Sequence, residues 1–204
     1  MKILFLGDIV GNVGCKKIIN DLLNEIKKYQ IDFVIVNGEN ADMSGVGLTE
    51  KTCDNFFKSG VDVITTGNHV WDQKEIMEYA NKENRLLRPK NLFEPAPGSG
   101  FKVFTTKDNI KIGVLNLMGN VFMKKCEDVF ETSKRFVDKY KLKKDYDFLV
   151  VDFHGEITSE KNAIGHFFDG KATLVVGTHT HIPTNDARIL KNGTAYQTDA
   201  GMCG

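Results

Sequence analysis

Apolar residues run along the first third of the chain in two alternating rhythms. Short continuous runs at Lys2–Gly7, Asp32–Val36 and Val61–Thr65 read as buried β-strands. Between the first two, Cys15–Tyr29 places Ile18, Ile19, Leu22, Leu23 and Ile26 at helical spacing, and Thr49–Ser59 predicts a second helix. The order β-α-β-α-β predicts a layered α/β fold with parallel neighbours. Right-handed crossovers then bring the C-terminal ends of the strands to one edge of the sheet.

The middle of the chain changes character. Arg88–Gly100 holds Pro89, Pro95 and Pro97 with Gly98 and Gly100, which predicts a surface loop. Phe101–Thr105 and Ile110–Leu117, around Lys107-Asp108-Asn109, predict an antiparallel hairpin. Helical patterns follow at Val129–Tyr140 and Ala163–Phe168, and strand patterns at Phe148–Phe153 and Ala172–Val176. Asn192-Gly193 between Arg188–Leu190 and Ala195–Gln197 is a two-residue hairpin signal. With no repeat or low-complexity segment, the expectation is one domain over residues 1–204, with two β-layers covered by helices.

Composition narrows the function classes. The 204 residues are 41% hydrophobic and 26% charged, as in an ordinary globular chain, which excludes disorder, collagen and coiled coil. No apolar run approaches the roughly 18–20 residues that cross a bilayer. The apolar part of Met1–Asp8 is too short for a signal peptide, so the cytoplasm is the expected compartment. Lys+Arg 27 balances Asp+Glu 27, leaving no net field for long nucleic acid or anionic membrane. A small anionic ligand held by local groups fits that balance. Lys124–Lys125 and Lys141–Lys144 lie beside acids and read as solvated surface. The four cysteines, 15, 53, 126 and 203, form no CxxC and are expected as free thiols.

Polar residues cluster at the ends of the predicted strands. Gly7-Asp8, Asn37-Gly38-Glu39-Asn40, Gly67-Asn68-His69, Phe153-His154-Gly155-Glu156 and Gly177-Thr178-His179-Thr180-His181 all fall there. In a parallel α/β sheet that edge is where ligands bind. Four of the five histidines (69, 154, 179 and 181) lie at it, and only His166 is elsewhere, on a helix. Imidazole, carboxylate and amide groups together suit zinc, manganese or iron, and the lack of thiolate argues against a structural zinc site. The supply exceeds one tetrahedral ion, so a pair of metals bridged by Glu39 or Asp8 is the economical reading. Gly7–Gly14 superficially resembles a dinucleotide fingerprint, but its spacing is GxxxGxxG and Asp8 stands where a phosphate would approach.

These motifs resemble the calcineurin-type metallophosphoesterases, whose pattern is GDxH, GDxxD, GNH[D/E], a lone His and GHxH. Two positions depart: Val10 replaces the first His and Glu39 the second Asp. Both departures are similar to the YmdB-like bacterial phosphodiesterases, with GDIVG, NGEN, TxGNHxWD, DFHxE and GTHTH, here Gly7–Gly11, Asn37–Asn40, Thr66–Asp72, Asp152–Glu156 and Gly177–His181.

The resemblance implies a layered α/β/β/α metallophosphoesterase-type sandwich, stopping short of the family's C-terminal edge. It implies one metal on Asp8, Glu39, Asn40 and His181, and a second on Glu39, Asn68, His154 and His179, with iron or manganese usual. His69 would be the general acid, and a hydroxide shared by the ions the nucleophile. The implied substrates are small nucleotide phosphodiesters such as 2′,3′- or 3′,5′-cyclic nucleotides. The alternative is a non-catalytic metal- or nucleotide-binding regulatory protein on the same fold, and a second copy of the chain is a further candidate partner. Asp72, Asp152 and Glu156 either orient imidazoles or face solvent. Trp71 and Phe153 either wall the pocket or sit in the core. The roles of Asn12, the Met43–Gly47 loop and Cys203 stay open.

Overall fold

The computed structural model describes residues 1–204. In chain order the first half comprises β1 (Ile3–Leu6), β2 (Asp8–Ile9), α1 (Gly11–Tyr29), β3 (Phe33–Asn37), α2 (Glu50–Lys58), β4 (Val63–Thr65), α3 (Ile76–Lys82) and β5 (Leu86–Leu87). The second half comprises β6 (Phe101–Thr105), β7 (Lys111–Met118), α4 (Val129–Lys139), β8 (Phe148–His154), α5 (Thr158–Phe167) and β9 (Leu174–Thr178). It ends with β10 (Arg188–Ile189), β11 (Ala195–Gln197) and β12 (Met202–Cys203).

Two sheets form the centre. One is all parallel in the order β1-β3-β4-β5. The other runs β10-β11-β9-β8-β7-β6, antiparallel only at β10–β11 and β6–β7. Strand alternation gives each sheet two apolar faces. On the first, Val34, Val36 and Ile64 meet Ile18 and Leu22 of α1, Phe56 of α2 and Ile76 of α3. On the second, Leu117, Leu149, Val151 and Phe153 meet Phe136 of α4 and Ile164 of α5. The facing sides, Phe33, Ile35, Val63, Ile112, Val114 and Val150, close on each other. The expected α/β/β/α sandwich is therefore what forms.

That inner face is apolar only along part of its length. Carrying the same alternation forward reaches Asn37, Thr65, Asn116, Asp152, His154 and Thr178, all buried. The strands thus pass from a greasy interior to a polar edge without changing which way these positions point.

Several boundaries differ from the sequence reading. α1 begins at Gly11 rather than Cys15, because Gly11 (φ 57°) turns the chain directly out of β2. α3 and β5 are added, both short enough to escape periodicity. β12 pairs in parallel with β2, a contact between distant parts of the chain that no local pattern announces. The Arg88–Gly100 loop is anchored inward: Arg88 donates to the Pro89 and Pro97 carbonyls and to Glu94, and Asn91 is fully buried against Met118 and Glu127. No helix is long and apolar enough to cross a membrane.

Candidate metal centre

Asp8 on β2, Glu39 and Asn40 after β3, Asn68 and His69 after β4, His154 ending β8, and His179 and His181 after β9 all meet at this polar edge. Asp8, Glu39 and His154 are almost wholly buried. His154 Nε2 lies 3.1 Å from Glu39 Oε1, 3.0 Å from Asn68 Oδ1 and 3.1 Å from His179 Nδ1. Ligand atoms of Glu39, His154 and His179 all fall within 4.8 Å of one another. Asn40 Nδ2 approaches the same Glu39 Oε1 at 3.2 Å and lies 3.2 Å from His181 Nε2. His181 Nε2 is 3.7 Å from Asp8 Oδ1. All seven sequence-predicted ligand residues are thus brought together, in two groups that share Glu39.

The hydrogen-bond donors in this cluster cannot satisfy all of its acceptors. His154 Nε2 faces three acceptors and can give at most one proton. Asp8 Oδ2 accepts the His179 N–H at 3.0 Å, but Asp8 Oδ1 is buried without any hydrogen-bond partner. Buried polar atoms of this kind are normally paired. Burial and the nearby Glu39 push the Asp8 carboxyl above its usual range. Burial opposes ionisation of Glu39 too, yet the His154 imidazole holds that carboxyl below its usual range. Burial also opposes charge on His154, but Glu39, Asp8 and Asp152 outweigh it and hold the imidazole up at about 9. Glu39, Asp8 and Asp152 thus concentrate negative charge around this ring, a field that a cation would answer. The nitrogen and oxygen donor set, without sulfur, fits a borderline transition metal.

Close approach is built into the backbone. A Cβ at Gly67 would sit 2.2 Å from Glu39 Oε2 and 2.3 Å from His154 Nε2. Gly14, in the segment resembling a dinucleotide loop, makes room for protein instead: a Cβ there would lie 2.1 Å from the Cys203 carbonyl oxygen.

The three acids left open by the sequence all contact imidazoles or reach one through a hydroxyl. Asp72 Oδ2 is 2.6 Å from His69 Nδ1, and Glu156 Oε2 is 3.0 Å from His179 Nε2. Asp152 acts through Thr178, whose hydroxyl donates to Asp152 Oδ1 at 2.8 Å and lies 3.0 Å from His154 Nδ1. With its own proton committed, that hydroxyl accepts from Nδ1–H and leaves Nε2 facing the cluster. The sequence assigns Thr178 no role, because inside Gly177–His181 it reads as a spacer before His179. Lys124, read as solvated surface, is exposed and also places Nζ 3.0 Å from Asp72 Oδ1. Phe153 is core, Trp71 packs against the first helix layer, and His166 is on the surface of α5. All four cysteines are free.

Comparison with known proteins places the whole chain in a family. Residues 4–204 match the family model described as YmdB-like protein. The chain is 43% identical over 205 residues to the 2′,3′-cyclic-nucleotide 2′-phosphodiesterase of Bacillus subtilis (strain 168), covering all of this chain and 76% of that protein. The crystal structure of a hypothetical protein from Thermus thermophilus superposes with a TM-score of 0.91 at 38% identity, over 99% of this chain and 77% of that one. The crystal structure of a novel phosphatase from Mycoplasma pneumoniae gives 0.90 at 42% identity, over 100% of this chain and 73% of that one. The chain belongs to the YmdB-like protein family.

Proposed function

We propose that the protein is a metal-dependent phosphodiesterase acting on small nucleotide phosphodiesters, 2′,3′- or 3′,5′-cyclic nucleotides, with two ions of iron or manganese. The observation that carries this reading is the pair of donor groups meeting at Glu39, together with the unpartnered Asp8 Oδ1. Asp8, Glu39, Asn40 and His181 would hold one ion, and Glu39, Asn68, His154 and His179 the other. A bound pair of such cations supplies Lewis acidity and makes water a nucleophile at neutral pH.

The chain's own groups supply the rest. His69 donates its backbone N–H to Glu39 Oε2 at 3.2 Å, which holds the imidazole beside the shared carboxylate. Asp72 takes up Nδ1, so Nε2 is the ring atom able to give a proton to the departing ribose oxygen. Buried Asp152 and Thr178 keep His154 in one tautomer, and Glu156 does the same for His179. The balanced net charge favours a substrate with one phosphate over a long polynucleotide.

The test is hydrolysis of bis-p-nitrophenyl phosphate and of 2′,3′- and 3′,5′-cyclic nucleotides by protein loaded with manganese or iron, with elemental analysis alongside. Turnover that is lost on chelation and restored by metal supports the proposal. Nucleotide binding without turnover would identify a regulatory binder instead.

A further inference from the structure

The loop after β9 carries two histidines in backbone conformations that L-residues avoid: His179 has φ 102° and His181 φ 64°. Such conformations persist only where the surroundings over-determine them. Between the two, Thr180 is gripped twice by Asp199. Its N–H and its hydroxyl both donate to Asp199 Oδ2, at 3.3 and 2.8 Å. The other oxygen of Asp199 accepts the Gly201 N–H at 2.8 Å, and the Gly201 carbonyl accepts the Asp8 N–H at 3.1 Å. One carboxylate therefore ties the His179–His181 loop to the strand that carries Asp8.

The charge of Asp199 is answered from the outer helix layer. Lys161 of α5 places Nζ 2.5 Å from Asp199 Oδ2, and both side chains are 1% exposed. A buried ion pair is a poor device for stability alone, because two desolvated charges generally do no better than a packed apolar pair. Its geometry is what distinguishes it. The ammonium fixes where Oδ2 sits, and Oδ2 fixes Thr180.

We propose that the Lys161–Asp199 pair is a positioning device for the metal centre, setting Asp8, His179 and His181 against one another through Thr180 and Gly201. This rests on the reading of the centre as a metal site. Neither residue touches that centre, and no sequence motif links Lys161 to it. The alternative is that the pair merely fastens α5 to the second sheet.

The experiment compares wild type, Lys161→Met and Thr180→Val. Manganese dissociation is measured by chelator competition, and the unfolding midpoint is measured on metal-free protein. Lys161→Met keeps most of the apolar stem and removes the charge. Thr180→Val removes one hydroxyl at a half-exposed position, so it leaves the helix attachment intact. The expected result is manganese binding weakened about 10–100-fold in Lys161→Met, the range for lost supporting contacts around metal ligands. Thr180→Val should weaken binding in the same direction with an unchanged metal-free midpoint. If Lys161→Met lowers the midpoint while both variants bind manganese within about twofold of wild type, the proposal is overturned. Should Lys161→Met fail to fold, Thr180→Val decides alone, with unchanged affinity overturning the proposal. A wild-type protein that takes up neither manganese nor iron overturns the reading of the centre and this proposal with it. Unchanged affinity in the variants overturns this proposal alone.

Discussion

His69 and Asp72 form a 2.6 Å contact between Nδ1 and Oδ2 within a single turn, and Lys124 approaches the same carboxylate from the loop after β7 at 3.0 Å. Burial works to raise the Asp72 carboxyl, but His69 and Lys124 outweigh it and hold it below its usual range. An ionised Asp72 keeps the His69 ring oriented. His69→Ala should lower turnover by about 10²–10⁴-fold, the range for a general acid, without releasing metal. Asp72→Asn should lower turnover less, again with metal retained. Steady-state kinetics with elemental analysis checks both, and metal lost together with activity would make His69 a ligand.

Gly67 is the residue against which Glu39 and His154 close. Gly67→Ala puts a methyl where those two side chains already are. The expected outcome is metal affinity reduced by at least about tenfold, with the far-ultraviolet circular dichroism of the sandwich retained. Wild-type metal uptake in this variant would mean that Glu39 and His154 separate freely.

Phe153 stands between two roles in the sequence and in one place in the fold, the core under α4 and α5. Phe153→Ala should lower unfolding free energy by about 3–5 kcal/mol, as for other buried phenylalanines. Metal uptake at low temperature should persist. Urea unfolding measures the first and chelator competition the second.

Asp186 supplies a pH dependence from outside the donor cluster. Burial tends to raise its carboxyl, but donors from Thr184 and Thr198, with Arg188 nearby, pull it down to about 2. An unfolded aspartate titrates near about 3.9. A carboxyl lowered on folding contributes stability that is present above about pH 4 and disappears as pH falls toward 2. Allowing for partial exposure, that contribution is about 2 kcal/mol. Asp186→Asn should therefore be less stable than wild type by about that amount at pH 7, with the gap closing between pH 4 and 2. Denaturant titrations across that range check it, and a gap independent of pH would refute it.

Much of the centre is legible in the sequence because strand alternation and strand ends are local signals. Lys2–Gly7, Asp32–Val36, Val61–Thr65 and Phe148–Phe153 announce themselves as apolar runs, and polar groups follow each one. The α/β/β/α layering follows from the same runs and the helical spacing in Cys15–Tyr29. What stays hidden depends on distance. Nothing near Asp8 predicts that Gly201 will accept its N–H, or that β12 will lie beside β2. Asp152 reaches His154 through a hydroxyl, so proximity in sequence hints at the partnership without giving its route. Lys124 looks like any surface lysine until the loop after β7 folds back toward Asp72. Short elements such as β5 and α3 lack the length to display a period.

The parallel pairing of β12 with β2 has a consequence for biosynthesis. Asp8 leaves the ribosome long before its hydrogen-bond partner Gly201 has been translated. Contacts this distant in the chain form late and slowly. The nascent polypeptide therefore has no acceptor for the Asp8 N–H, and no partner for β2, until the segment carrying Gly201 and β12 has emerged.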